Sequence, residues 1–193
     1  MQPSVVVVSG PPGSGKTSLA AALSTRLGWP VVSRDAVKAG MIDAERRQEP
    51  PPLGDPLAVK AYEVMYEIAR RHVECGVSVI VESAFRVDLS KPELEAMTEG
   101  AEVRQIACYC PIELLIERFD ARRTSDGRRR AHPDDAVLQL FRDASFGWHL
   151  YEPVELGAPL LQVDTTDGYN PCLDDIDFFA RTASVPIARA DDL

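Results

Sequence analysis

Gly10-Pro11-Pro12-Gly13-Ser14-Gly15-Lys16-Thr17 puts three glycines, a lysine and a threonine at the spacing GxxxxGK[ST]. Glycines at 10, 13 and 15 allow the backbone to close around an anion so that successive N–H groups point at phosphate oxygens. A helix opening at the end of such a loop adds partial positive charge at the same point. Lys16 is then placed for the β and γ phosphates of a nucleotide, and the Thr17 hydroxyl for Mg2+. Pro11, Pro12, Ser14 and Ser18 complete the segment expected to hold the phosphates. The motif implies ATP and Mg2+ as the bound species.

Three further groups carry chemistry. Ser33-Arg34-Asp35 follows an apolar stretch, and an Asp at the carboxyl end of a strand beside a phosphate loop lies where ligands bind in open α/β sheets. Asp35 there can take the proton of a hydroxyl attacking the γ phosphate; its chemistry equally suits a helix cap for 36–41. Glu82 closes Val79-Ile80-Val81, with three readings open: Mg2+ through water, contact with the acceptor, or a salt bridge inside the cleft. Arg118, Arg122, Arg123, Arg128, Arg129 and Arg130 fall within thirteen residues, more than a solvated face needs. Arg118 and Arg122 share a helical face at i and i+4, and guanidinium forks suit a transferring phosphate. The polar, basic stretch 124–133 is the expected lid.

These residues resemble the small P-loop kinases of the polynucleotide kinase, chloramphenicol phosphotransferase and zeta toxin-like group, over Val5 to about Ala180. In the polynucleotide-kinase-like branch the loop reads as Gly10 to Thr17 does here, and an Arg-Asp pair follows the second strand as Arg34-Asp35 does. The resemblance implies Asp35 as general base, Lys16, Arg118 and Arg122 on the transferring phosphate, and the adenine near Asp164 in Val163-Asp164-Thr165. It places Arg34, Lys38, Glu82 and Arg86 at the acceptor. Glu82 stands where that branch often has Asp, and Lys38 where it has a polynucleotide-binding Arg. The implied activity is transfer of the γ-phosphate of ATP to a hydroxyl of a small molecule or nucleotide end. A slow P-loop NTPase serving as a nucleotide-dependent regulatory module is the second reading. Arg34-Asp35 favours the first, because a switch needs no acceptor base.

The elements that must position these groups alternate. Ser4–Ser9 reads as a buried strand and Gly15–Leu27 as a helix with Leu19, Leu23 and Leu27 four apart. Trp29–Ser33, Val77–Val81, Glu102–Tyr109 and Leu160–Asp164 read as further strands. Leu57–Cys75 reads as a helix with Leu57, Ala61, Val64, Ile68 and Val73 inward, ended by Gly76. A short helix follows Ser90, Pro111 opens one with Ile112, Leu115, Ile116 and Phe119 inward, and Pro133–Trp148 and Cys172–Ala180 complete the set. Phe146, Trp148 and Tyr151 fall to core packing or to an acceptor pocket. Apolar strands separated by helices predict a three-layer α/β P-loop NTPase fold: a five-stranded parallel sheet, helices on both faces and an arginine-rich lid. One kinase domain is expected over 1–183, with a flexible tail at 184–193.

The whole chain sets bounds on partners. Its 193 residues include 21 Lys and Arg against 30 Asp and Glu, a net charge of -9, which disfavours long nucleic acid. An acidic cleft would suit a cationic acceptor such as an aminoglycoside, although no residue places those charges. The sole Asn is Asn170, and no Lys is followed by Asp two residues on, so the guanine-reading element of GTPases is absent. Val5–Val8 falls far short of the roughly 18 apolar residues of a membrane span. Without a charged N-terminal stretch before an apolar core, a cytoplasmic protein with reduced cysteines is expected. Monomer and homodimer are both open.

Overall fold

A computed structural model describes residues 2–45, 52, 54–125, 134–143 and 146–182. Five strands form one sheet: β1 (Ser4–Ser9), β2 (Val31–Ser33), β3 (Val79–Glu82), β4 (Glu102–Tyr109) and β5 (Leu160–Asp164). Their order is β2-β3-β1-β4-β5 and every pairing is parallel. Parallel neighbours need crossovers, and α1 (Lys16–Leu27), α2 (Arg34–Ala44), α3 (Pro56–Glu74), α4 (Lys91–Met97), α5 (Ile112–Ser125), α6 (Asp134–Arg142) and α7 (Leu173–Thr182) connect or cover the strands.

The valines of β1 sort by parity. Val6 and Val8 pack with Leu19, Leu23, Ile176 and Phe179 under α1 and α7, while Val5 and Val7 pack with Met65, Ala69, Leu94 and Met97 under α3 and α4. A strand buried on both faces has no polar alternation, which is why the run reads as pure valine. The edge strand β5 buries Leu161 and Val163 and exposes Leu160 and Gln162, so it is covered on one face only.

Several sequence expectations shift. The buried face of α3 is Leu57, Ala61, Met65, Tyr66, Ala69 and Val73; Ile68 is exposed and Val64 half-buried. Choosing branched residues pulled the expected stripe one position off the four-residue period that Leu57, Ala61, Met65, Ala69 and Val73 keep. In α5 Leu115 and Phe119 are buried, but Ile112 sits exposed in the first turn. The helix expected through Trp148 stops at Arg142, and a separate 3-10 turn spans Trp148–Tyr151 after Gly147. Phe141 meets Phe119, Phe146 and Trp148 at centroid distances of 4.9, 4.9 and 5.1 Å, contacts for which the chain turns back on itself. β3 begins at Val79, leaving Val77 exposed, and β2 begins at Val31.

Candidate active site

The parallel register puts the chemistry at one edge of the sheet. Val8 pairs with Glu82, and Glu82 with Ser33, so the ends of β1, β3 and β2 lie level. The glycine loop leaves β1 at that level, at the point where connections diverge to either side, the usual ligand crevice of an open α/β sheet.

The loop geometry explains its glycines. Gly10 and Gly13 have φ of 141° and 94°, and a Cβ there would lie 2.3 Å from Cys108 O and 2.5 Å from Leu115 O. No side chain fits at either position. Gly15, at φ 77°, is the N-cap of α1 and contributes no side-chain cap, so the first N–H groups of that helix are left to a ligand. Ser14 Oγ is buried with no hydrogen-bond partner, another sign that the loop is completed by something the chain does not supply. Lys16 is buried, its Nζ 3.4 Å from Pro11 O and 4.0 Å from Glu82 Oε1. Ser18 is exposed in the first turn of α1.

Glu82 is 2% exposed. Thr17 Oγ1 donates to its Oε1 at 3.2 Å and Ser33 Oγ to its Oε2 at 2.7 Å. A buried carboxylate would be costly alone; two hydroxyls and the Lys16 ammonium make it tenable. It therefore faces the phosphate loop and is not on the wall of the cavity beside it.

That cavity, about 370 Å³, lies between the loop, α2, α3 and the aromatic cluster. Lys16, Thr17, Arg34, Asp35, Lys38 and Arg86 line one side, all of them residues that the sequence points to. Phe119, Phe141, Phe146 and Tyr151 line the other, with Tyr62 at the base of the polar side. Phe146 and Tyr151 thus serve both roles left open for them, packing and pocket wall; Trp148 packs in the same cluster.

Arg34 and Asp35 open α2 after Ser33, whose own hydroxyl is spent on Glu82 and does not cap the helix. Arg34 Nη1 donates to Asp35 Oδ1 at 2.6 Å, and its guanidinium carbon lies 4.9 Å from the centre of the Tyr62 ring. The Arg34 pKa is pushed above its ordinary value: burial is the largest single influence and opposes the charge, but Asp35, Tyr62 and Tyr151 together outweigh it. Arg34 Nε is buried and has no partner, an omission that typically costs about 1–3 kcal/mol. Arg86 donates from Nε to Asp88 Oδ1 at 3.0 Å and from Nη2 to Asp88 Oδ2 at 2.6 Å. Lys38 is buried in the same wall.

Arg118 lies on the other side of the loop. Its Nη2 donates to Thr165 O at 2.7 Å and Thr166 O at 3.0 Å, and its Nη1 to Thr165 Oγ1 at 3.3 Å. Thr165 Oγ1 in turn lies 3.0 Å from Ser14 O and 3.1 Å from Tyr109 O. Asp164 Oδ1 accepts from Thr166 N at 2.8 Å and Thr166 Oγ1 at 2.5 Å, bonds that hold its carboxyl below the usual carboxylate range. Arg118 and Asp164 are thus both tied to Thr166, in the segment after β5. The side chain of Arg122, residues 128–130, most of the expected lid 124–133 and the tail 184–193 lie outside the described residues.

Sequence reasoning did not pick out Tyr62, Thr165 or Phe141. Thr165 carried a signal, since it ends the Val163-Asp164-Thr165 run; Tyr62 could be found only once the true period of α3 was known.

The cradle fits nucleotide phosphates: backbone room that only glycine allows, orphaned donors and a buried ammonium. Mg2+ usually takes one or two protein ligands plus phosphate oxygens, and Thr17 beside Glu82 matches that donor set. Among the described residues no group of three or more His, Cys, Asp or Glu could hold a metal by itself, and no helix is long and apolar enough to cross a membrane.

Comparison with known proteins agrees with this geometry. The family model described as an AAA domain matches residues 5–145. A kinase candidate from Chloroflexus aurantiacus is 30% identical, with a TM-score of 0.79 over 94% of this chain and 98% of its own. A gluconokinase from Sinorhizobium meliloti is 20% identical, with a TM-score of 0.57 over 93% and 90%. A component of the Pnkp1/Rnl/Hen1 RNA repair complex is 21% identical, with a TM-score of 0.51 over 70% of this chain and 42% of its own. The last two share the fold. No curated protein matches the chain.

Proposed function

We propose that this chain, which belongs to the AAA domain family and is a P-loop kinase, transfers the γ-phosphate of ATP to a hydroxyl of a small molecule or nucleotide end, with Asp35 as the general base. The observation that carries the reading is Asp35 on the wall of the same cavity as Lys16 and Thr17. A nucleotide module without an acceptor has no use for a carboxylate there. The gluconokinase and the RNA repair component among the similar structures fit an acceptor of this kind, although their resemblance is one of fold.

In this reading the glycine loop and Lys16 hold the phosphates in place. Thr17, hydrogen-bonded to Glu82, would hold Mg2+, which would supply charge neutralisation on the phosphate oxygens. Asp35 accepts the acceptor's hydroxyl proton as the oxygen bonds to the γ phosphorus and the bond to the bridging β–γ oxygen breaks, releasing ADP. Arg34 fixes the carboxylate's orientation. Most of the rate gain comes from positioning and charge, since phosphoryl transfer asks for little covalent chemistry from the protein. Arg122, on α5, is proposed to meet the transferring phosphate; Arg118 and Asp164 are proposed to frame the nucleotide base. A cytoplasmic location and action as a monomer or homodimer complete the reading.

Asp35→Asn keeps the size of the side chain and removes the base. The reading predicts ADP affinity within about twofold of wild type and transfer lowered by roughly 100-fold or more. Normal transfer in the variant would move the base elsewhere.

A further inference from the structure

Most of the charge at the acceptor side of the cavity is of one sign. Arg34, Lys38 and Arg86 line it, and among the described lining residues Asp35 is the one carboxylate. Lys16 lines it as well, but faces Glu82 and the phosphate loop. This stands against the chain as a whole, which carries a net charge of -9. An acidic protein gathers cations in a pocket only where something anionic repays their mutual repulsion.

The hydrogen bonding sharpens the point. A guanidinium has five N–H donors. Asp35 occupies Nη1 of Arg34, and the buried Nε has no acceptor. Asp88 occupies Nε and Nη2 of Arg86 and leaves the Nη1 edge. The two arginines come from different elements, α2 and the segment after β3, and line the same cavity. Tyr62 supports the Arg34 guanidinium from beneath at 4.9 Å. A cationic acceptor would meet three cationic side chains in this lining, which disfavours the aminoglycoside class considered from net charge alone.

From this lining we infer that the phosphoryl acceptor is itself an anion: a hydroxyl compound whose carboxylate or phosphate is received by Arg34 and Arg86, with Lys38 adding charge behind them. The inference rests on the kinase reading and narrows its substrate. Asp35 then serves two ends, orienting Arg34 toward the anion and taking the proton of the hydroxyl carried beside it. The anionic group does not react; it fixes which hydroxyl lies at Asp35.

The test saturates the protein with ADP, so that the phosphate loop is filled, and titrates matched compounds by calorimetry: gluconate against glucose, and ribose 5-phosphate against ribose, with glucosamine as the cation. The inference predicts that in one pair or both the anion binds about tenfold or more tighter than its neutral partner. Which pair responds separates carboxylate from phosphate. Arg34→Gln and Arg86→Gln should each erode that preference while ADP affinity stays within about twofold, since neither residue belongs to the phosphate cradle. Arg86→Gln, at a half-exposed position, carries the test if Arg34→Gln fails to fold. Equal or tighter binding of the neutral or cationic partner, no binding of either anion, or a preference that survives both substitutions overturns the inference. Phosphoryl transfer to a neutral compound would overturn it and leave the kinase reading intact. Anion binding with no transfer to any hydroxyl compound would leave an anion site at Arg34 and Arg86 but remove the kinase reading, and the acceptor role of the anion with it.

Discussion

Thr165 is a small residue whose hydroxyl has three polar neighbours. Its hydroxyl touches the carbonyls of Ser14 in the phosphate loop and Tyr109 at the end of β4, and receives Arg118 from α5. Thr165→Val keeps the shape and removes all three contacts, leaving the buried Ser14 carbonyl short of a donor while Tyr109 O keeps the Thr165 N–H. The expected cost is about 1–3 kcal/mol in urea unfolding, with weaker ADP binding because Ser14 is no longer held; Thr165→Ser should restore both. At this scale the sequence was informative wherever a residue type is demanded by its chemistry. Gly10, Gly13, Lys16 and Thr17 occupy positions that the motif spacing alone specified, and Arg34, Asp35, Lys38 and Arg86 do line the cavity. Glu82 and Arg118 were recognised as important, yet their directions depend on three-dimensional partners, Ser33 for one and Thr166 for the other, which no local spacing encodes.

The sheet strands were legible where apolar residues cluster. β1, β4 and β5 match their expected bounds; β1 is a continuous apolar run with abrupt ends, and β4 is found on Val103 and Ile106-Ala107-Cys108 although it also buries Arg104 and Gln105. α3 was found with part of its face one position off, since its inward residues include Met65 and Ala69, which hydropathy ranks below the half-buried Val64 and the exposed Ile68. α6 was overextended for a similar reason: Phe141, Phe146 and Trp148 are all apolar, but they converge on one another from two elements and do not continue one face. Phe141 is the centre of that arrangement, 4% exposed and in edge contact with Phe119 of α5. Phe141→Ala should destabilise the protein by about 3–5 kcal/mol, read as a lowered urea midpoint with an unchanged slope. It should also weaken acceptor binding, because the same ring lines the cavity. Loss of binding without loss of stability would separate the pocket wall from the core.

Across the whole molecule, composition and site diverge: the surface is acidic, the cleft basic. Net charge is a sum over every residue, so it weighs against long nucleic acid as a partner but could not forecast the sign of one pocket. The four cysteines offer a test of the global packing. Cys75 and Cys172 are exposed, whereas Cys108 and Cys110 lie under the phosphate loop and are buried. Burial pushes the Cys108 thiol up to about 12 and raises Cys110 as well, against the pull of Lys16 on the first and Arg118 on the second. Only thiolate reacts with alkylating reagents. At pH 8 the folded protein should therefore label at two cysteines within minutes and at the other two only on unfolding. Rapid labelling at all four would mean that the β4 end and the loop above it are not packed as described.

The central claim is that the γ-phosphate goes to a hydroxyl other than water. Following that phosphate by 31P NMR in purified protein supplied with ATP, Mg2+ and a panel of hydroxyl compounds tests it directly. The account predicts a new phosphate ester with one class of compound, formed in step with ADP, and loss of that ester in Asp35→Asn while ADP still binds. Inorganic phosphate as the sole product, at the same rate with and without every compound and unchanged in Asp35→Asn, would contradict it and leave a nucleotide-hydrolysing module.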